Sequence, residues 1–309
     1  MTVAPNPSPA VVERRRTPSA KAVAPYLFLA PFLLLFIAFI VAPLVYALYM
    51  SVFRDTLVGG RQFAGVANYV KVFSDAKFWD GVRNLAIFGV VQVPVMLGLA
   101  LLFALILDRG QVYGRNLFRL GFFIPYAVPS VIAALIWGYL YGPAFGPFTQ
   151  LARALGTPPP EFLSRDAMLF SIANIVTWEF VGYNMVIYYA ALKALPPDLR
   201  EAAVIDGASP WQFAWTIQLA LLWPAILLTI IFSINGTLQL FNEPFLMRAL
   251  APNVINSSYT PNLYAYSLAT ANQQYNYAAA VSFVLGMVIA VAAYLFTVIS
   301  NRARGSGAN

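Results

Sequence analysis

The chain has 309 residues, 60% of them hydrophobic and only 10% charged, with a formal net charge of +7. Soluble domains carry roughly 25% charged residues, so composition alone makes this a membrane protein. Cysteine and histidine are absent, which excludes Cys/His zinc sites, cysteine nucleophiles, Ser-His-Asp triads and disulfides, and no dense Lys/Arg patch interleaves with aromatics, so no nucleic-acid partner is expected.

Residues 1–24 hold Pro5, Pro7, Pro9 and Pro18 with Arg14-Arg15-Arg16 and Lys21, and read as a disordered basic tail. The apolar run after it, about 25–50, is too long for a signal-peptide core and reads as a retained first span. A crossing needs roughly 20 apolar residues. Six segments qualify: 26–50, 84–107, 119–141, 168–192, 221–242 and 278–300. The expected fold is therefore all-α and polytopic, with a six-helix membrane body over 25–302 and a short tail over 303–309. Pro94, Pro125, Pro129 and Pro224 fall inside spans, where neighbouring helices can re-satisfy the backbone. Between the spans, 51–83 reads as an aromatic loop with a short interfacial helix, and 243–277 as a loop rich in Asn, Gln and Tyr.

Lys and Arg set the orientation. With the N-terminus inside, the inner segments hold eleven of the nineteen Lys/Arg, and Arg109, Arg115 and Arg119 in one short connection are the best witnesses. Six spans then leave both ends in the cytoplasm.

The connection over 195–220 is unusual for a linker. Pro196 and Pro197 can open a helix, and Asp198 and Glu201 place negative charge in its first turn. Asp206-Gly207 reads as a stop. Ser209, Pro210 and Gln212 restart a helix in a capping-box arrangement. The apolar positions Leu199, Ala202, Ala203 and Ile205 of so short a helix need covering. There is no Walker A pattern, so a nucleotide that drives this protein binds another chain. No internal repeat is evident.

Inside the spans, polar residues are expensive unless paired or facing a cavity. Asn235, Gln239 and Asn242 fall at i, i+4 and i+7, one helical face, and Ser233 and Thr237 form a second pair on an adjacent strip. Amides and hydroxyls suit a neutral polyhydroxylated solute, and interhelical hydrogen bonding is the plainer alternative. Glu179 is the acid expected deepest in a span, with Trp178, Tyr183 and Asn184 close by; Gln92 and Asn174 are weaker candidates. An ion- or proton-coupled carrier would use Glu179 as its proton site. A membrane-embedded enzyme would lack the paired acids it needs.

Glu201-Ala202-Ala203, three residues, Gly207, nine residues and Ile217-Gln218-Leu219-Ala220 resemble the EAA loop of the integral membrane subunits of binding-protein-dependent ABC importers. That family carries proline where this chain has Ala220; Pro224 follows one turn later. The likeness extends through Gly65, Asn68-Tyr69 and Phe73, then Gly114-Arg115, Phe118-Arg119 and Phe123-Ile124-Pro125, and finally Gln239-Leu240-Phe241-Asn242, Pro244 and Tyr277-Ala278-Ala279-Ala280. These are similar to the carbohydrate branch that includes the maltose-transporter F-like subunits, without that maltose subunit's extra N-terminal spans and large external domain. The resemblance implies a MetI-like fold and a non-catalytic subunit in a bacterial-type cytoplasmic (inner) membrane. It implies two cytoplasmic ABC ATPases that hold ATP and Mg, no cofactor on this chain, a paralogous second permease, an extracytoplasmic solute-binding protein and surrounding lipid. The solute it implies is an oligosaccharide or a related polyol or sugar phosphate. Glu201, Ala202, Ala203, Asp206 and Gly207 would then couple to the ATPase, and Ser233, Asn235, Thr237, Gln239, Asn242, Trp178, Glu179, Tyr183 and Asn184 would line the pathway.

Overall fold

The computed structural model describes residues 20–56, 58–109 and 113–305. The chain divides into two compact units, Met1–Tyr49 and Met50–Asn309. Most of the tail expected over 1–24 lies outside the described residues, and so do 306–309 of the C-terminal tail. The first helix already begins within that expected tail: α1 (Ala20–Phe36) passes through a π-helical stretch, Ile37–Val41, into α2 (Ala42–Ser51).

The second unit opens with an antiparallel hairpin, β1 (Phe53–Thr56) and β2 (Gly60–Phe63), paired Phe53 to Phe63 and Thr56 to Gly60. This is the one departure from an otherwise helical fold among the described residues. The short helix expected in this region is α3 (Ala67–Ser74). Its Asn68 amide donates to the Ser51 and Phe53 carbonyls, both at 2.7 Å, and satisfies the backbone where helix gives way to hairpin. Asp75 caps α4 (Ala76–Asp108) by accepting from the Lys77 N–H at 3.0 Å.

The expected third span is broken. Helix α5 (Arg115–Phe123) tightens into a 3₁₀ turn, Ile124–Ala127, and restarts as α6 (Ser130–Leu140) after a bend of 102°. Val128, held extended before Pro129, marks the corner. Proline disfavours helical backbone in the residue before it, and here no neighbouring helix overrides that preference. Next come α7 (Pro147–Ala154) and α8 (Met168–Lys193), followed by α9 (Asp198–Ile205). The second capped helix of the 195–220 connection is not a separate loop helix. α10 (Pro210–Phe213) runs through a π-helical stretch, Ala214–Gln218, directly into α11 (Leu219–Leu238). The expected 243–277 loop is mostly helical too, as α12 (Asn242–Leu250) and α13 (Pro261–Thr270), before α14 (Tyr275–Gly305).

Among the described residues four helices are long and apolar enough to cross a membrane: Pro25–Ser51, Ala76–Asp108, Pro210–Leu238 and Tyr275–Tyr294. The bent α5–α6 pair makes a fifth if it counts as one span. The expected fourth span coincides with α8, which is long enough at 26 residues. It falls outside that group because it carries Asn174, Glu179 and Asn184, and the last two are buried in the bundle rather than turned outward.

The most extensive pairing in this unit is α4 against α8. Ala100 and Ala104 of α4 pack on Met185 and Tyr188 of α8, and small residues let two helices approach closely. Where α8 meets α5, Gly182 lies against the Phe122 carbonyl with no room for a Cβ. Tyr188 is fully enclosed, and its hydroxyl finds Thr229 of α11 at 2.5 Å. A second cluster joins α8 to α6 and α12 through Ile172, Ile175, Ala134 and Met247. A third joins Val72 and Phe78 to α13 and α14. There the Asp75 carboxylate accepts from the hydroxyls of Tyr264 and Tyr277, each at 2.6 Å.

Candidate solute pathway and coupling surface

A cavity of about 370 Å³ opens among α4, α8, α11 and the start of α12, within the range of small-molecule sites. Its polar lining includes Gln92, Ser130, Asn184, Gln239 and Asn242, and its apolar walls include Phe88, Phe180 and Phe232. Tyr126, from the bent corner, stacks on Tyr183 of α8 with ring centroids 4.6 Å apart and planes 19° apart. Flat aromatic faces beside amide and hydroxyl groups can hold a sugar ring, whose CH face is apolar and whose edge is polar.

The structure brings together six of the nine residues read as pathway candidates: Tyr183, Asn184, Ser233, Thr237, Gln239 and Asn242 all line the cavity. The geometry differs from the expected single face. Helix α11 ends at Leu238, Gln239 is its C-cap, and a new helix starts at Asn242. Spacing of i, i+4 and i+7 shares a face only along an unbroken helix. Asn235, within α11, borders a shallow apolar pocket with Ile234, Leu238 and Ile289, and the break carries Gln239 and Asn242 to the cavity instead. Gln239 donates to the Asn235 backbone carbonyl at 3.3 Å, and Asn242 donates to the Ser130 hydroxyl at 2.8 Å.

Trp178 also lies off the cavity, edge-on to Trp137 at 5.9 Å. Glu179 is only 3% exposed and does not line the cavity, and its Oε2 has no hydrogen-bond partner. Of the weaker candidates, Gln92 is buried and lines the cavity, whereas Asn174 donates to the Tyr141 hydroxyl at 2.8 Å in a separate pocket.

At the 195–220 connection, Ser209 and Gln212 form both halves of the expected capping box: the Ser209 hydroxyl accepts from the Gln212 N–H at 3.2 Å, and the Gln212 carbonyl oxygen accepts from the Ser209 N–H at 2.8 Å. Helix α9 closes with Gly207 at φ +73°; its N–H meets the Val204 carbonyl and the Ala208 N–H meets the Ala203 carbonyl, a Schellman arrangement. Ala203 is buried against the chain's own bundle. Glu201, Ala202, Asp206 and Gly207 are exposed, and so are Val204 at 68% and Ile205 at 85%.

Two features of these surfaces are not legible in the sequence. Asp108, buried at the end of α4, gathers three partners: Lys193 at 2.8 Å, Arg200 of α9 at 2.5 Å and the Gln218 amide at 3.0 Å. An acid at the end of an apolar run, beside a basic connection, was its only signal. The sequence places Glu243 in the 243–277 loop, yet it is buried and lines the cavity. Its place directly after Asn242 was the available clue.

A family model described as the binding-protein-dependent transport system inner membrane component matches residues 96–304. The lactose transport system permease protein LacF of Rhizobium radiobacter is 34% identical over 283 residues, covering 87% of this chain and 91% of the relative. The arabinooligosaccharides transport system permease protein AraP of Bacillus subtilis is 30% identical over 294 residues, covering 93% and 92%. Among solved structures, a chain of a bacterial alginate ABC transporter in complex with an alginate pentasaccharide-bound periplasmic protein superposes with a TM-score of 0.80 at 20% identity, over 92% of this chain and 96% of that one.

Proposed function

Because the chain belongs to the binding-protein-dependent transport inner membrane component family, we propose that it is one half of the membrane pathway of an ATP-driven importer for a sugar. It does no bond chemistry of its own. Two cytoplasmic ATPases, a paralogous permease and an external solute-binding protein complete the working complex, in a cytoplasmic membrane with both ends of this chain inside.

The observation that carries this reading is the pairing of two surfaces in one bundle. One is a polar and aromatic cavity at the break between α11 and α12. The other is a rigidly closed helix, α9, that leaves Val204 and Ile205 uncovered. An exposed apolar helix end, closed by the Gly207 turn and followed at once by the Ser209 capping box, suits docking into a cleft on another protein. ATP-driven closure of the ATPases moves α9, the bundle rocks, and the cavity alternates between the two sides of the membrane. The sugar class comes from the cavity's lining together with the lactose and arabinooligosaccharide systems of its relatives.

Affinity purification of the tagged chain from its native membrane tests the assembly: an ATPase and a second permease should co-purify in fixed ratio. Solute uptake that persists with the ATPase inactivated would sink the importer reading. The rival carrier based on Glu179 has no support in the geometry, because that side chain is sealed away from the cavity.

A further inference from the structure

The charge around the cavity narrows the solute class, and this step rests on the sugar-importer reading above. Among the described residues no lysine or arginine lines the cavity. One acid does: Glu243, only 6% exposed. Behind it, Glu179 is 3% exposed, lies close enough to Glu243 for the two carboxyls to interact electrostatically, and has an oxygen with no hydrogen-bond partner. Among the described residues the ion pairs involve only Asp55 and Asp108, so neither glutamate is neutralised by a cation.

A phosphate or carboxylate entering this space would find no opposite charge on this chain and would face the Glu243 carboxyl in a medium of low polarity. A sugar hydroxyl or ammonium group would instead donate a hydrogen bond to a buried carboxyl that has room for one. We propose that the pathway takes a neutral or aminated sugar and rejects sugar phosphates and uronates, with Glu243 as the group that meets the solute and Glu179 as a neighbouring acid behind it. A single like charge about 6–12 Å away weakens binding by roughly tenfold to a hundredfold at an effective dielectric of about 20.

The test uses the complete complex, both permeases and both ATPases, in nanodiscs and without the binding protein, so that only the membrane step is read. Three disaccharides of matched linkage serve as probes, ending in glucose, glucosamine or glucuronate, with binding followed by saturation-transfer NMR. The expected result is binding of the neutral or the amino member, weakened about two- to tenfold in a Tyr183→Ala control, with the glucuronate member at least tenfold weaker. Glu243→Gln, which preserves shape, should narrow that gap, and Glu179→Gln should narrow it less. Equal or preferred binding of the glucuronate member overturns the inference while leaving the sugar reading intact. So does a gap that survives the double Glu179→Gln/Glu243→Gln variant in an assembled complex. Failure of all three sugars to bind sinks the sugar reading itself, and this inference with it.

Discussion

Arg200, on the exposed helix α9, donates to the carboxylate of Asp108, 92 residues earlier at the end of α4. The same carboxylate holds Lys193 at the end of α8 and Gln218 at the entry to α11. One buried acid thus ties the proposed coupling helix to three long helices of the bundle. Asp108→Asn removes the charge while keeping the shape. Arg200 and Lys193 are about half exposed, so solvent screens part of the loss. A destabilisation of about 1–2 kcal/mol is expected. In the reconstituted complex the variant should also show ATP hydrolysis partly released from solute delivery. Hydrolysis that stays tightly coupled, with only thermal stability lowered, would make Asp108 a purely structural tie.

Gly207 separates strain from docking. Its φ of +73° penalises any side chain by about 1 kcal/mol, yet a Cβ there would meet nothing within 4 Å of this chain. Gly207→Ala should therefore be mild and Gly207→Leu should uncouple transport with the subunit still inserted. Because the space around Gly207 is open and exposed, the extra loss from alanine to leucine is expected from contact with something outside this chain. Equal uptake by the two variants, measured against membrane abundance, would remove α9 from the docking surface.

Gly182 offers the opposite case. A Cβ there would overlap the backbone of Phe122, which has no rotamer to give. Gly182→Ala should cost about 3 kcal/mol or more by forcing α5 away from α8. Gly98→Ala, where a Cβ would meet nothing within 4 Å, is the matched control. Thermal unfolding of the purified complex should resolve the two.

In the cavity, Tyr183→Ala should weaken sugar binding to the nanodisc-held complex about two- to tenfold, the range expected for one stacking partner. Asn235→Ala should leave binding unchanged, because its side chain faces the apolar pocket beside α14. A reversed ranking would mean that the cavity described is not where solute binds.

Asp75 gives a pH signature. Burial opposes its charge, but the hydroxyls of Tyr264 and Tyr277 and the Lys77 N–H outweigh that and hold its carboxyl below the usual range. A depressed folded-state value stabilises the fold above the unfolded value, near pH 4, and that contribution is lost as pH falls through the lower one. Asp75→Ala should cost about 2 kcal/mol at neutral pH, combining a lost cap with two lost charged hydrogen bonds. The difference from the unsubstituted protein should hold steady from pH 7 to 5 and narrow below about pH 4. A constant difference down to pH 2 would refute the ionised state.

Local chemistry was legible and long-range chemistry was not. The capping box at Ser209 and Gln212 spans four residues, and Gly207 terminates its helix through bonds to its own last turn. Both depend on neighbours in sequence. The break after Leu238 carries no proline, so a continuous amide face from Asn235 to Asn242 was the natural expectation and failed where the backbone turned. Glu243 looked like a loop acid because burial is set by the α6 and α12 packing, which periodicity does not report. Asp108 meets Arg200 and Gln218 across 92 and 110 residues, and one chain's pattern does not encode that pairing.

The wide turn at Ala214–Gln218 has a consequence for chain length. The Leu219 N–H reaches back five residues to the Ala214 carbonyl, one more than an α-helix spans. The turn therefore stores a surplus residue between the capped start at Ser209 and the buried stripe of Leu222 and Leu227. Deleting one residue there would close an ordinary four-residue bond and leave both flanking stripes facing as before. Deleting one anywhere from Leu221 to Ile226 would swing the rest of the helix by about 100° and turn its cavity side chains toward lipid. The segment between loop and span is the one place in this helix where the chain can be shortened without being re-aimed.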